Sequence, residues 1–350
     1  MTTTASAPAW DAAALDRLRD TLDLLTADGT VPGGVIACGD LDGQPSYLAS
    51  GIVASECGTA RPGPHTRYDV ASLSKVVGTW PLVGTALTDR LALDAPVGDL
   101  LPTVPEGAPG GQVTVRQILA HTSGLRADTR LDQYRNTGID LAELICGEEL
   151  ISEPGARHRY INRGFILLGL LLAAATGRRL DELAADLWHG LGMTATTYGP
   201  LARAADVAPT EQRFPGAPRL WGMPHDDNAA LLGGVAGHAG VFSTPADLAA
   251  YAAALLRAHR DGTPLGHWLA DSMAPQAEIE PGLHRGLAWI LADGGRIAYH
   301  HGFTGTSLYL APHTGRYLVL CTNAVYHHQD NRTRLTPLRT LALKTITDAP

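Results

Sequence analysis

The sequence predicts an α/β protein of the α+β type, with an antiparallel β-sheet flanked by N- and C-terminal helices and an inserted all-helical domain. The first observation is a helix pattern followed by a hairpin pattern near the N-terminus; the second is a strand meander followed by a helix near the C-terminus. The middle of the chain has helical patterning. We therefore expect residues 1–90 and 240–350 to form one discontinuous sheet domain, and residues 91–239 a mainly helical domain, with the functional site in the cleft between them.

The N-terminal residues carry the signals of one helix and one hairpin. Leucines at helical spacing lie between Asp11 and Ala27, and Asp11 is a suitable N-cap. Val35–Gly39 and Ser46–Ser50 are short strand patterns on either side of Asp40–Pro45, which has turn chemistry. A further helix, with Pro81 near its middle, is expected from Ser72 toward Asp89.

The central and C-terminal elements are predicted from the same periodicities. Gly177 is expected to end the second of the long central helices, and Thr244 to cap a helix that runs through Leu256. The other predicted helices are Val115–His121, Asp140–Glu149, Asn162–Ala175, Asp181–His189 and Arg334–Thr347. The predicted meander strands are Gly286–Leu291, Arg296–His300, Ser307–Ala311 and Tyr317–Thr322.

Composition excludes several functional classes. Of 350 residues, 45% are hydrophobic and 18% charged, which is typical of a globular chain with a full core. The net charge of −8, without a run of Lys and Arg, argues against nucleic-acid binding. The apolar run Phe165–Thr176 is too short to span a membrane, and residues 1–10 have no signal-peptide pattern, so we expect a cytoplasmic protein without a membrane partner. The cysteines are too dispersed for a zinc site and are expected to be reduced: Cys38, Cys57, Cys146 and Cys321.

The first chemical motif is Ser72-x-x-Lys75. Residues three apart share one face of a helix, so the hydroxyl and the amine can meet. A serine becomes a good nucleophile when a neighbouring base takes its proton, and an uncharged lysine can do so. The pattern alone is weak, but two further motifs follow it in the order that such an enzyme needs.

The second motif is Tyr160-x-Asn162. Alternate residues of an extended turn face the same way, so both side chains can point into one cleft. The Tyr160 phenol could relay the Ser72 proton, while Asn162 could hold Lys75 and the substrate. The alternative is a packed aromatic residue followed by a helix N-cap at Asn162.

The third motif is His300-His301-Gly302-Phe303 at the end of a predicted strand. A strand edge beside the nucleophile can supply the Phe303 N–H, which together with the Ser72 N–H would form an oxyanion hole. Gly302 would leave room for substrate. The alternatives are an exposed strand end or a metal held by the two histidines, although adjacent strand residues face opposite ways. A fourth stretch, 225–244, is rich in Gly, Asp and His, and either borders a pocket or has a packing role.

With these motifs assembled, the chain resembles the serine β-lactamase and penicillin-binding-protein superfamily, closest to class C β-lactamases and family VIII carboxylesterases. The resemblance covers roughly residues 10–345 and includes the segment Val113–Leu125 and the segment Leu191–Thr197. It implies a β-lactamase/transpeptidase-like fold. It also implies that Ser72 is the acylated nucleophile, with Lys75 and Tyr160 handling its proton.

The resemblance further implies that Asn162 contacts the substrate and the lysine, and that His300 stands where relatives carry the lysine of Lys-Thr-Gly. Both the fixed positive charge and the hydroxyl that grip a β-lactam carboxylate are missing from His300-His301-Gly302, so weak or no β-lactamase activity is expected.

The leading hypothesis is therefore a serine hydrolase that cleaves an ester, amide or other small acyl substrate through a Ser72 acyl-enzyme, without metal or other cofactor. One alternative is a biosynthetic acyltransferase that uses the same acyl-enzyme. Another is a non-catalytic ligand-binding module on the same fold.

Overall fold

The computed structural model of the chain describes residues 10–87, 91–127, 130–134 and 137–348, without the side chain of Tyr134. Its strands in chain order are Gly33–Asp40 (β1), Ser46–Gly51 (β2), Tyr68–Asp69 (β3), Thr197–Tyr198 (β4), Val241–Ser243 (β5), Ala277–Glu280 (β6), Leu283–Arg285 (β7), Ile290–Ala292 (β8), Ile297–His301 (β9), Ser307–Ala311 (β10) and Arg316–Thr322 (β11). Eight of them form one antiparallel sheet in the order β2-β1-β11-β10-β9-β8-β7-β6, and β3, β5 and β4 form a second, small sheet. The predicted antiparallel sheet is confirmed.

The helices lie on both faces of the large sheet and in the central part of the chain. In chain order they are Ala12–Ala27 (α1), Trp80–Ala86 (α2), Val97–Leu100 (α3), Val115–Leu119 (α4), Leu141–Gly147 (α5), Asn162–Thr176 (α6), Leu180–Gly190 (α7), Asp227–Leu231 (α8), Pro245–Arg260 (α9), Pro264–Ser272 (α10), Asn331–Arg334 (α11) and Thr336–Thr347 (α12). No helix in the described ranges is long and apolar enough to cross a membrane.

Two layers of apolar side chains hold the sheet between helices. Successive strand residues point to opposite faces, so Leu318 and Leu320 of β11 face α1 and α12, whereas Val319 and Cys321 face the larger core that includes α9. On the outer side, Leu22 of α1 is almost completely buried, and burying one such side chain contributes about 1.5–3 kcal/mol. The predicted terminal helices flanking the sheet are thus confirmed.

The central helices follow their sequence signals closely. Buried side chains lie on nearly every face of α6, as the apolar run predicted, and Gly177 ends the helix in the left-handed conformation with φ +68°. Thr244 caps α9 by accepting the Asp247 N–H. Asp11 caps α1 by accepting the Ala13 N–H at 3.2 Å. All three predicted helix boundaries are confirmed.

The segment after Ser72 is less regular than predicted. A turn of 3₁₀-helix, Ala71–Leu73, leads into a π-helical turn, Lys75–Thr79, before α2 begins at Trp80. Pro81 lies in the first turn of α2 rather than near the middle of a long helix, because only there is its missing N–H tolerated. The predicted end near Asp89 lies outside the described residues.

The predicted strand Gly286–Leu291 is wrong. Its first four residues form a tight turn between β7 and β8, in which the Gly286 N–H donates to the Trp289 carbonyl at 2.9 Å and Ala288 has φ +72°. The apolar residues of this turn are buried because it docks on α4, where the Ala288 N–H donates to the Leu119 carbonyl at 2.9 Å. The apolar residues that are buried against α4 therefore gave the same sequence pattern as a strand. The hairpin formed by β6 and β7 was not predicted.

Candidate active site

Ser72 and Lys75 meet as their spacing predicted. The Lys75 Nζ lies 3.1 Å from the Ser72 Oγ and also donates to the His238 carbonyl at 3.1 Å. The lysine side chain is fully buried. Because a buried amine has few alternative partners, its two oxygen contacts hold it in place beside the nucleophile.

The backbone around Ser72 is strained and tightly held. Ala71 has φ +47°, which is uncommon for a residue with a side chain. The Asp69 carboxylate accepts the Ala71 N–H at 2.8 Å, and the Ser74 hydroxyl donates to the Ala71 carbonyl at 2.6 Å. Burial is the main influence on Asp69 and raises the pKa of its carboxyl. Together these bonds maintain the turn that presents the Ser72 hydroxyl.

Tyr160 lies beside this pair and is partly exposed to solvent. The Lys75 Nζ is 4.9 Å from the centre of the Tyr160 ring and 5.6 Å from that of Phe165. Such distances place the lysine within cation–π range of both rings. Tyr160 is 39% exposed. The Tyr160 ring thus lies near Lys75, but among the described residues its hydroxyl forms no hydrogen bond with Lys75 or Ser72, and the proton relay stays a prediction.

Asn162 is the first residue of α6, and Ile161, not Asn162, occupies the N-cap position. The Asn162 Oδ1 is buried without a hydrogen-bond partner in the described part of the chain. The expected contact between Asn162 and Lys75 is likewise not found as a hydrogen bond there; the two acceptors of the lysine are Ser72 and His238. Asn162 thus offers a free acceptor, and its role in binding substrate stays a prediction.

His300 and His301 face different surroundings, as expected for neighbours on a strand. The His300 ring lies 6.2 Å from the Tyr160 ring, whereas the His301 Nδ1 lies 2.9 Å from the Ser307 hydroxyl. Burial, assisted by Arg285 and Lys75, lowers the pKa of His300 well below its ordinary value. Its Nδ1–H donates to the His301 carbonyl at 3.0 Å, so the Nε2 of the neutral ring is an acceptor, buried and unpartnered among the described residues.

Gly302 and Phe303 belong to a turn that lies directly against the segment before Ser72. The Thr304 hydroxyl donates to the Asp69 carbonyl at 2.6 Å, and the Thr306 hydroxyl to the Val70 carbonyl at 3.1 Å. A Cβ on Gly302 would collide with the Val70 carbonyl oxygen. The glycine therefore permits a close approach of two backbone segments, and its role in leaving room for substrate stays a prediction.

The Ser72 and Phe303 N–H groups have no acceptor within the described ranges, and the same is true of the neighbouring Thr304 and Thr306 N–H groups. A pair of donors beside a nucleophilic hydroxyl can stabilise the negative oxygen that develops when a carbonyl is attacked. The oxyanion hole formed by the Ser72 and Phe303 N–H groups stays a prediction, and their lack of an acceptor in the described residues is compatible with it.

A comparison with known protein families agrees with this geometry. The family profile described as "Beta-lactamase" matches residues 18–342, which is most of the chain. This chain belongs to the beta-lactamase family.

Solved structures show how fully the family fold is preserved in this member. A "Beta-Lactamase/D-Alanine Carboxypeptidase from Pseudomonas syringae" superposes with a TM-score of 0.78 at 18% identity, covering 97% of this chain and 100% of that one. "A class C beta-lactamase" superposes with a TM-score of 0.76 at 18% identity, covering 100% of this chain and 99% of that one. "EstCE1, a hydrolase with promiscuous acyltransferase activity" gives 0.73 at 20% identity, covering 94% and 98%. These likenesses establish the β-lactamase/transpeptidase-like fold.

Among curated relatives, a "Putative D-alanyl-D-alanine carboxypeptidase" of Escherichia coli (strain K12) is 31% identical over 216 residues, which is 53% of this chain and 49% of the relative. A protein of the same name from Salmonella agona (strain SL483) is 28% identical over 218 residues, 53% of this chain and 50% of that protein. The chain spans about half the length of the curated relatives that it matches.

One charged residue of this beta-lactamase family site was missed by the sequence analysis. Arg285 of β7 is 3% exposed, and its guanidinium lies 5.8 Å from the centre of the Tyr160 ring. It donates to the Ala288 carbonyl at 3.0 Å and to the His158 Nε2 at 3.3 Å. In the part of the chain that the structure describes, no carboxylate forms an ion pair with it. Burial lowers the pKa of Arg285 to about 10, which still leaves it charged at neutral pH.

Arg285 therefore corrects the expectation that the site lacks a fixed positive charge. Its only sequence signal is an arginine within the apolar stretch 283–292. Burying a charge there costs free energy, and such buried charges are often found at functional sites.

The Gly-rich fourth stretch borders the site through its backbone. Its His238 carbonyl accepts from Lys75, and its Gly237 carbonyl accepts from the Thr79 hydroxyl at 2.6 Å. The His238 Nε2 lies 2.8 Å from the Asp226 carboxylate. Burial acts to raise the pKa of Asp226, but the hydrogen bond from His238 and nearby positive charge outweigh it and hold the pKa below its usual range. This stretch therefore helps to hold the Lys75 amine in place through the His238 carbonyl.

Proposed function

We propose that this beta-lactamase family serine hydrolase cleaves an ester or amide bond of a small molecule through an acyl-enzyme on Ser72, with weak or no β-lactamase activity. The observation that carries the proposal is the fully buried Lys75 amine within 3.1 Å of the Ser72 hydroxyl, next to two unpartnered backbone donors in the described residues.

The reaction would proceed in two halves. The Ser72 Oγ attacks the carbonyl carbon while its proton passes to the Lys75 and Tyr160 pair, and the Ser72 and Phe303 N–H groups bind the oxygen that becomes negative. The intermediate collapses with loss of the alcohol or amine, which takes up that proton. Water then attacks the acyl-enzyme, and Ser72 recovers its proton from the water as the acid is released.

Ser72→Ala tests the proposal. With p-nitrophenyl acetate or butyrate, we expect the variant to lose about 10³-fold or more of the wild-type kcat, because the nucleophile is removed. The exposed Ser46→Ala is the matched control and should retain the wild-type rate. Labelling of wild-type Ser72 by a fluorophosphonate, located by peptide mass spectrometry, should agree. Full turnover by Ser72→Ala would overturn the proposal.

Substrate preference can be measured on the same protein. His300 is neutral and His301 faces away from Tyr160, so neither histidine supplies the charge that a Lys-Thr-Gly motif places against a β-lactam carboxylate. We expect nitrocefin turnover to be far below that of activated esters. Short alcohols or amines can be added to the same reaction, and the amounts of free acid and of acyl adduct measured. The free acid reports hydrolysis, and the adduct reports acyl transfer.

Arg285 favours a second candidate, a carboxypeptidase acting on acyl peptides with a free C-terminal carboxylate. A buried guanidinium without a carboxylate partner in the described residues suits such a group, because an Arg–carboxylate pair is a strong, directional contact. The names of the curated relatives support the same substrate class.

The test compares an acyl-D-alanyl-D-alanine peptide with its C-terminal amide. We expect the ratio of their kcat/KM values to favour the free carboxylate in the wild type, and to fall about 10–100-fold in Arg285→Gln but less in Arg285→Lys. A wild-type enzyme that does not prefer the carboxylate, or an unchanged ratio in Arg285→Gln, would rule this candidate out.

A further inference from the structure

His121 is a buried residue for which the catalytic scheme above has no use. It follows α4, is 1% exposed, and has a backbone φ of +56°. A histidine in this left-handed conformation is uncommon and is retained only where surrounding contacts require it. His121 also lies within the segment Val113–Leu125 that carried part of the family resemblance without an assigned role.

The backbone and side chain of His121 hold Tyr160 from both sides. The His121 carbonyl accepts the Arg159 N–H at 2.8 Å, and its Nδ1 accepts the Ile161 N–H at 3.1 Å. The imidazole also packs against the Tyr160 ring, with the ring centres 4.5 Å apart and the planes inclined by 35°. One residue thus fixes the chain before Tyr160, the chain after it, and the aromatic ring itself.

The hydrogen bond from Ile161 determines the form of the imidazole. A backbone N–H can only donate, so the His121 Nδ1 must carry a lone pair and the ring proton must be on Nε2. Burial, followed by the charges of Arg285 and Lys75, lowers the pKa of His121 well below its ordinary value. The neutral ring therefore persists, whereas a charged ring would place an N–H against the Ile161 N–H.

The contact extends to the second aromatic ring near the lysine. His121 packs on Phe165 with ring centres 5.2 Å apart, and the Tyr160 and Phe165 rings both lie within 6 Å of the Lys75 Nζ. The imidazole thus lies behind both rings that face the amine. A shift of this ring would move the phenol relative to Lys75 and Ser72.

We infer that His121 is a positioning residue for Tyr160, whose imidazole Nδ1 and carbonyl together hold the phenol in register with Ser72 and Lys75. The inference rests on the proposed function, since it assumes that Tyr160 takes part in moving the Ser72 proton. It assigns a role to the histidine of the His121-Thr122-Ser123-Gly124 motif.

The test compares three variants by the rate at which a fluorophosphonate labels Ser72, and by kcat and KM with p-nitrophenyl butyrate. His121→Leu removes the Nδ1 acceptor. His121→Asn restores an acceptor near the Nδ1 position and tolerates a positive φ. Val115→Ala, a buried change on α4, is the control for loss of packing, and thermal unfolding is measured for all three.

We expect His121→Leu to lower the labelling rate and kcat by about 10–100-fold with little change in KM, because a small misplacement of a catalytic group is costly. His121→Asn should recover most of this loss, and Val115→Ala should lose stability but not rate. In a Tyr160→Phe background, His121→Leu should have little further effect, since both changes act through the same phenol.

Three results would each overturn the inference. Folded His121→Leu could label at the wild-type rate, His121→Asn could be as slow as His121→Leu, or the losses in the double variant could be fully additive. If His121→Leu does not fold, His121→Gln replaces it, because its acceptor reaches the Nε2 and not the Nδ1 position. Failure of the wild-type protein to label at Ser72 would count against the proposed function instead.

Discussion

The two sides of the site are held in different ways. On the nucleophile side, the hydroxyls of Thr304 and Thr306 bond directly to the backbone just before Ser72, and all of these groups are buried. On the tyrosine side, Tyr160 is 39% exposed and its position depends on contacts with His121. The backbone before the nucleophile is thus held by several buried hydroxyl groups, whereas the tyrosine depends on one neighbouring residue, His121. Substitutions should therefore have different effects on the two sides.

Tyr160→Phe should produce the largest effect. The variant keeps the ring that packs on His121 and faces Lys75 but loses the phenolic oxygen. If that oxygen relays the Ser72 proton, we expect kcat for ester hydrolysis to fall by about 10²–10⁴-fold, with little change in thermal stability. Steady-state kinetics together with thermal unfolding measure both. A Tyr160→Phe variant with wild-type kcat would mean that Lys75 alone activates Ser72.

Gly302→Ala tests the nucleophile side. The new Cβ would meet the Val70 carbonyl and the Thr306 hydroxyl, forcing the turn away from Ser72 and moving the Phe303 N–H. We expect kcat to fall by about 10²–10³-fold, as for loss of an oxyanion-hole donor.

Gly63→Ala is the control for this change, because its Cβ would point into open space. A boronic acid that forms a tetrahedral adduct on Ser72 should bind Gly302→Ala more weakly and Gly63→Ala normally. Unaltered boronic acid affinity in Gly302→Ala would show that the Phe303 N–H is not part of an oxyanion hole.

His301 should produce the smallest effect, on stability rather than rate. Burial, with a contribution from Arg339, lowers the pKa of His301 to about 3, so the native state stays neutral where the unfolded chain, titrating near 6.5, is charged. The unfolded state then binds more protons between these values, and the free energy of unfolding decreases as the pH falls below 6.5.

We expect His301→Asn to remove about 2 kcal/mol of the stability change that the wild type shows between about pH 6.5 and about pH 5. Urea unfolding at several pH values measures this difference. If the free energy of unfolding of the two proteins had the same pH dependence, His301 would not be the buried neutral histidine responsible for this change.

Much of the fold could be predicted because its elements carry local signals. Asp11, Gly177 and Thr244 mark helix ends by chemistry that acts within a few residues. The turn after Arg285 carried no such signal, because its apolar residues are buried against α4, which lies far away in sequence. Alternation cannot distinguish burial within a strand from burial by docking.

The candidate site shows the same division. Ser72 and Lys75 are three residues apart, so their meeting could be predicted from local spacing, although a 3₁₀ turn and a π-helical turn replace the regular helix there. Arg285 and His121 reach Tyr160 only through the tertiary fold, from a hairpin and from the end of a short helix. No local pattern indicates that an arginine will be buried next to a tyrosine 125 positions earlier in the chain.

The pairing of β1 with β11 has a consequence for biosynthesis. Seven residue pairs, from Gly34 with Thr322 to Asp40 with Arg316, join segments about 280 residues apart in the sequence. During translation the N-terminal hairpin must wait for residues 316–322 to leave the ribosome, and until then one strand edge is open to other chains. Chaperones that cover exposed strand edges should therefore raise the yield of this protein more than those that act only on completed chains.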